Sequence, residues 1–581
     1  MPDITPDDTQ RPVRAVAESY VAALAELDPL LATRLGTVSG QDRLPDLSPA
    51  GQQAADDLAR ATLARLDAVE ASRAPAAAGG EPAANGDAAA AGHERRCARL
   101  LRERLEAGLD LSAAGEHLRS VSNIFGPLQG VRNVFTLMPA ATAEDWAVIA
   151  RRMIGVPQAL GGYRESLAEG ARQGLLAAPR QVRTVTGQIT DWLAAAGGAG
   201  WFAEFAAAAE VPAALRTDLD DAAGEAAGAA ADLRDWLTAE YLPRAEGTPD
   251  GMGEERYLRS ARRWTGARLD LAATYEWGWS QYREILAEMT SEARQVLPGA
   301  TPQEAMRYLD EHSKAVEGVE QIRHRLQQMM NDAIADLDGT HFDLAEPIRT
   351  VEAMIAPAGS AAAPYYTGPS QDFSRPGRTW LPTLGRTRFP EWNLISVWYH
   401  EGVPGHHLQV AQWTYLTSQL STFQTVVGGV SACMEGWALY AERLMDELGY
   451  LRPAGARLGY LDAQMMRAVR VIVDLGMHLG LTVPADSPVG AGQVWTPELA
   501  AEFFRAHSGR DAEFIDSEIV RYLSAPGQAI SYKIGERAWL EGRAAAQAAR
   551  GASFDLKAWH MAALSLGSLG LDDLADELAR L

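Results

Sequence analysis

The sequence predicts a mainly α-helical protein, a large helical body with an active-site cleft and a small β element just before a histidine-bearing helix. Three observations lead there. Apolar residues recur at helical spacing along most of the 581 residues. Aromatic and β-branched runs between Pro and Gly turn signals are confined to a short stretch after residue 346. Three of the eleven histidines fall within eight positions, from His400 to His407.

From Val13 to Val69 the apolar residues keep a helical period, and Cys97, Leu101 and Leu105 follow at i, i+4 and i+8 with Leu100 beside them. Between these helices, Ala71 to Gly92 is rich in Ala, Gly and Pro and has no large apolar side chain to bury, which predicts a flexible loop. Ala143 to about Leu337 reads as helix with short Pro/Gly breaks, as in a bundle or array. At residue 346 the composition shifts, and PYYTGPS, GRTWLPT and TRFPEWN predict a few extended strands. Helical patterning resumes at Trp392 and reaches the C-terminus, interrupted from Pro484 to Pro497. This suggests an N-terminal helical part, residues 1–345, and a C-terminal catalytic part, 346–581, compatible with one continuous structural unit.

The formal charge of −23, from 53 Lys+Arg against 76 Asp+Glu, excludes a general binder of nucleic acid or anionic membrane, since polyanions need a basic footprint. Cys97 and Cys433 are too few for a disulfide framework or a four-thiolate zinc site. The first twenty residues are polar and acidic with no apolar run, which predicts a soluble, cytoplasmic protein.

The chemistry concentrates in H-E-G-V-P-G-H-H, preceded by the apolar run WNLISVWY, which suits a buried helix delivering His400 and Glu401 to an interior site. In the zinc pattern H-E-x-x-H, two histidines at i and i+4 share a helix face and the Glu serves as general base. Here the spacing differs. On a regular helix His406 lies about 240° around and about 9 Å along from His400, and His407, back on the same face, lies about 10.5 Å along. Pro404 and Gly405 supply the needed distortion, since Pro removes a backbone donor and clashes with the carbonyl of His400. The second ligand is then His406 or, alternatively, His407. A catalytic zinc usually takes three protein ligands, and Glu435, beside the apolar stripe of the helix M-E-G-W-A-L-Y-A-E-R-L-M-D-E-L-G, is the candidate third. Glu442, two turns on, is a candidate hydrogen-bond acceptor for a ligating imidazole.

H-E-G-V-P-G-H-H-L-Q, M-E-G-W-A-L-Y-A-E, R-x-x-R-V-I-V-D-L-G-M-H (Arg467 to His478) and A-P-G-Q-A-I-S-Y-K-I-G-E (Ala525 to Glu536), in that order, resemble the bacterial domain-of-unknown-function 885 family, which is grouped with the zincin metallopeptidases. The stretch L-M-P-A-A-T-A-E-D-W-A-V-I-A-R-R-M is similar to it as well. The resemblance implies a zincin-like site in which His400, His406 and Glu435 hold one Zn²⁺ and Glu401 handles the proton. It supplies no substrate. M-H-L-G-L-T, Met477 to Thr482, departs from the family where an aromatic often stands.

The expected reaction is metal-assisted amide hydrolysis of short peptides, with Glu401 as general base and Tyr532 or His478 as oxyanion donor. Arg375 and Arg378 are candidates for gripping a substrate carboxylate. Alternatives are a zinc hydrolase of a non-peptide amide or ester, or a non-catalytic scaffold in which Cys433 closes the metal site; residues i and i+2 of a helix point to different sides, which argues against the latter. Lys533 reads as a solvated or ion-paired side chain, and His312, His324 and His507 as ordinary surface histidines.

Overall fold

The computed structural model describes residues 11–37, 40–73, 85–357, 363–453 and 455–581. It is mainly helical, with five short strands among the described residues. Two compact units are distinguished, one formed by residues 1–81, 105–252 and 517–525, the other by 82–104, 253–516 and 526–581. Residues 253–345 thus group with the second unit, and the composition change at 346 marks the strands.

In the first unit, the helices Ala143–Ile154, Val156–Arg172, Pro179–Gly198 and Ala213–Trp236 share a core that includes Phe135, Trp146, Ile149, Met153, Leu160, Val182 and Leu219. Thr142 starts the first of these with a capping box to Asp145. Arg152 is fully buried yet satisfied, donating to the carbonyls of Pro29, Gly40 and Arg43 and to the Thr33 hydroxyl.

The flexible loop expected over 71–92 is narrower than the composition suggests. Helix Pro49–Arg73 runs into its start, and helix Asn85–Ala113 includes its end. Alanine is the strongest helix former, so an Ala-rich stretch with nothing to bury can still extend a helix. The rest of that stretch, 74–84, and the acidic first ten residues lie outside the described residues. Among the described residues no helix is long and apolar enough to cross a membrane.

The second unit is organised around helix Ala456–Leu479, of whose 24 residues 22 are buried. A helix buried all round has no solvent face to set a polar stripe. Helix Leu271–Val296 packs on it, with Gly278 against Val471 and Ile472. Strands β1 (Ala315–Glu317), β2 (Val351–Ile355), β3 (Tyr365–Thr367), β4 (Gly377–Leu381) and β5 (Arg388–Pro390) form two small sheets. β2 and β4 pair in parallel, Val351 opposite Gly377, and β3 adds antiparallel to β4 with Tyr365 opposite Trp380. β1 pairs antiparallel with β5, Ala315 opposite Pro390. β1 interrupts the span read as helix, because its partner is some 70 residues downstream and local periodicity carries no sign of it. β5 ends five residues before the helix Ile395–Glu401, so the β element stands where it was expected.

Candidate metal centre

His400 and Glu401 close the helix Ile395–Glu401, whose side chains Ile395, Ser396, Trp398 and Tyr399 are buried with them. The chain then turns through Gly402–Gly405 and starts a new helix, His406–Tyr415. Gly405 N–H reaches back to Tyr399 O at 3.0 Å and His407 N–H to Gly402 O at 3.1 Å. A Cβ on Gly405 would overlap the His400 carbonyl, so the turn closes only with glycine there. The Trp437 indole donates to the carbonyls of both Pro404 and Gly405 at 3.0 Å, fastening the turn to the helix Ser431–Glu447. The break therefore does what the sequence required, and the rings of His400 and His406 meet edge to face with centroids 4.8 Å apart.

Glu435 joins them from the first turns of helix Ser431–Glu447. Its Oε2 lies 3.3 Å from His400 Nε2 and 3.5 Å from His406 Nε2, and the ligand atoms of the three residues all fall within 4.8 Å of one another. Two ligands held about 2.0–2.1 Å from one ion at the tetrahedral angle stand about 3.3–3.4 Å apart, so the donor set and the two His–Glu separations suit zinc. Glu435 Oε2 is buried and accepts no hydrogen bond, so its acceptor capacity is unspent. The Glu435 side chain keeps 21% and that of His406 12% of its exposure, so the group opens toward solvent on one side.

The electrostatics point the same way. Burial opposes ionisation of Glu435, but the His400 and His406 imidazoles outweigh it and hold the carboxyl well below the usual range. Burial likewise opposes a charged His400, yet Glu435, Glu442 and Glu401 outweigh it and push its imidazole up to about 9. Three carboxylates thus favour one positive charge at this point. Glu401, with Oε1 3.9 Å from His400 Nε2, is pushed up, chiefly by burial.

Behind His400, Glu442 is completely buried and accepts from His400 Nδ1 at 2.8 Å, which leaves Nε2 facing Glu435. Ser396 donates to the other Glu442 oxygen, and Arg467 Nη2 pairs with Oε1 at 3.1 Å. Burial raises the Glu442 carboxyl, but Arg467 and then His400 more than reverse it, leaving it lowered. Arg467 had no assigned role in the sequence reading. The signal was there: an arginine inside the apolar helical run Met465 to Leu475 needs a buried partner.

The family model for bacterial protein of unknown function (DUF885) matches residues 29–578. The chain belongs to that family. It is also similar in fold to the crystal structure of the "putative lipoprotein" from Colwellia psychrerythraea, at 21% identity and TM-score 0.83, covering 98% of this chain and 99% of that one. A "putative lipoprotein of unknown function" from Shewanella oneidensis matches at 17% identity and TM-score 0.71 over 97% and 98% of the two chains. No curated protein matches.

In this DUF885 chain the first two motif stretches meet at Glu435, and the third joins them through Arg467 at Glu442. The fourth contributes helix Ser531–Arg550, whose Gly535 touches Gly436 so closely that a Cβ on either would overlap the other's backbone. Tyr532, one turn before Gly535, is half-buried with the Arg470 guanidinium 4.8 Å over its ring. His478 stands apart. It lies eleven residues beyond Arg467, about 16 Å along the same helix, and packs against Tyr257 and Asp474. His407 is also engaged elsewhere, Nε2 with Ile348 O at 2.7 Å and Nδ1 with Tyr366 Oη at 3.0 Å.

Cys433 is buried, its thiol pushed up to about 12 by burial and set against Ser568 and Leu569, so it closes no metal site with Glu435. Arg378 pairs with Glu352 at 2.8 Å across β4 and β2, and Arg375 bonds the adjacent Pro376 carbonyl from an exposed turn; neither is drawn into the histidine group. Lys533 is ion-paired, to Glu536, but fully buried, and burial lowers its pKa. His507 is buried too, bonding Tyr282 Oη and Phe503 O, unlike the surface histidine expected from the sequence.

Proposed function

We propose that the protein is a zincin-like, zinc-dependent metallopeptidase cleaving amide bonds of short peptides, with one ion held by His400, His406 and Glu435. The reading is carried by one observation: three ligand atoms within 4.8 Å of one another, with the Glu401 carboxylate 3.9 Å from one of them. Bound zinc supplies a Lewis acid that polarises a carbonyl and brings a water toward a pKa of roughly 7. Glu401, pushed up by burial, is the base that takes the water proton and returns it to the leaving amine. Tyr532 is the donor to the oxyanion in this scheme, since its helix is pressed onto that of Glu435 and Arg470 packs over its ring. Glu442 and Arg467 hold the tautomer and orientation of His400.

Glu401→Gln tests the assignment of the base. Zinc content should stay at one per chain while peptide turnover falls about 10²–10⁴-fold, the usual worth of a positioned base. Unchanged turnover would remove Glu401 from the mechanism.

A further inference from the structure

Of the 53 Lys and Arg side chains only three are lysine, Lys314, Lys533 and Lys557. Lys314 and Lys557 reach solvent, whereas the Lys533 side chain keeps 1% of its exposure. Replacing a buried ion pair with apolar side chains is often neutral or stabilising, so stability alone does not account for a charge in such a place. The directional contacts of Lys533 give it another use.

Three helices of the second unit are tied in a closed ring of polar contacts. From helix Ser531–Arg550, Lys533 Nζ donates to Gln464 Oε1 at 2.9 Å, on helix Ala456–Leu479, and to Glu536 Oε2, one turn on in its own helix. Glu536 Oε1 accepts from Arg443 Nε at 3.0 Å, on helix Ser431–Glu447. Arg467, one turn beyond Gln464, pairs with Glu442, the neighbour of Arg443, and closes the ring. Glu442 is the carboxylate that holds His400 Nδ1, and Glu435 stands about two turns before it on the same helix. The apolar part of the crossing is smooth: Gly535 lies against Gly436 and the Ala432 carbonyl, contacts with no side chain to set how far one helix slides along the other. Ser431 and Ser531, the first residues of their helices, add a hydroxyl contact at 3.0 Å.

We infer that Lys533 is a positioning residue for the metal centre, fixing the register of helix Ser431–Glu447 against helix Ala456–Leu479 and with it the places of Glu435 and Glu442. A compact ammonium suits this task better than a planar guanidinium fork, since one atom serves acceptors on two helices. A functional carboxylate must be held within about 0.5 Å of its working place, so a slide smaller than one helical rise of about 1.5 Å is enough to part Glu435 from His400 and His406. The inference rests on the reading of His400, His406 and Glu435 as zinc ligands.

Zinc affinity of the full chain, by competition with a chromogenic chelator, and denaturant unfolding of the metal-free chain test it together. Lys533→Met keeps a long unbranched side chain and leaves Glu536 its arginine. Lys533→Met combined with Glu536→Leu removes both charges, so neither is stranded, and Arg443 keeps 37% of its exposure and its access to water. The expected result is zinc binding at least tenfold weaker in both variants, with the metal-free double variant unfolding at the wild-type denaturant concentration or above it. Wild-type affinity in the double variant overturns the inference. So does weaker binding accompanied by earlier unfolding of the metal-free double variant, which makes Lys533 a strut of the fold and nothing more. Failure of the wild-type chain to bind zinc is a different result: it overturns the metal reading itself, and the positioning role with it.

Discussion

With no solvent exposure, Glu442 lies between His400 Nδ1 at 2.8 Å and Arg467 Nη2 at 3.1 Å, so a permanent cation offsets its charge while it fixes the His400 imidazole. Glu442→Gln keeps a similar shape but removes the charge, and Arg467→Gln leaves a buried carboxylate without its arginine. Both should weaken zinc about 10–100-fold in competition with a chromogenic chelator; unchanged affinity in both would mean that the pair only fills space. Titration belongs to this scale as well. Burial lowers His560 from 6.5 to about 3, and it bonds Tyr440 Oη and His341 O; burial lowers His407 from 6.5 to about 4. The unfolded chain takes up these protons first, so this stability is complete above about pH 6.5 and is lost as pH falls toward the folded values. At pH 5 each histidine should have lost about 2 kcal/mol. Thermal unfolding between pH 6.5 and 5 should show it, and His560→Gln should flatten the slope; an equally steep variant would contradict the account.

At the scale of elements, His400, His406 and Glu435 are placed by breaks and close approaches. The Pro404–Gly405 break was legible because no regular helix brings His400 and His406 together, and the turn to His406–Tyr415 meets that demand. The sequence put His406 ahead of His407; that Ile348 and Tyr366 engage His407 from distant positions was not legible in it. The meaning of Gly436 and Gly535 was hidden for the same reason: each appears as a motif glycine, but only the crossing of their two helices requires it. Gly436→Ala should therefore destabilise the protein by about 1–3 kcal/mol through overpacking, read by denaturant unfolding. A neutral effect would mean the helices separate without cost. The strand β1 and the Ala-rich helix ends escaped sequence reading because one answers to a remote partner and the other to propensity without burial.

For the whole molecule, the mainly helical class followed from periodicity alone, whereas its division did not. The composition change at residue 346 falls inside the second unit, because strands alter composition without dividing a core. Among the described residues, His400, His406 and Glu435 are the one group of His, Cys, Asp or Glu side chains close enough to share a metal. The charge of −23 is spread far beyond them, so it argues against polyanion partners and names no substrate. Whether the chain cleaves peptides is decided by turnover. A mixed peptide library incubated with the full protein, with and without a chelator and read by mass spectrometry, is the most direct measurement. The account predicts amide cleavage that stops with the chelator and returns when zinc is restored; no cleavage in any arm, or cleavage indifferent to the chelator, would contradict it.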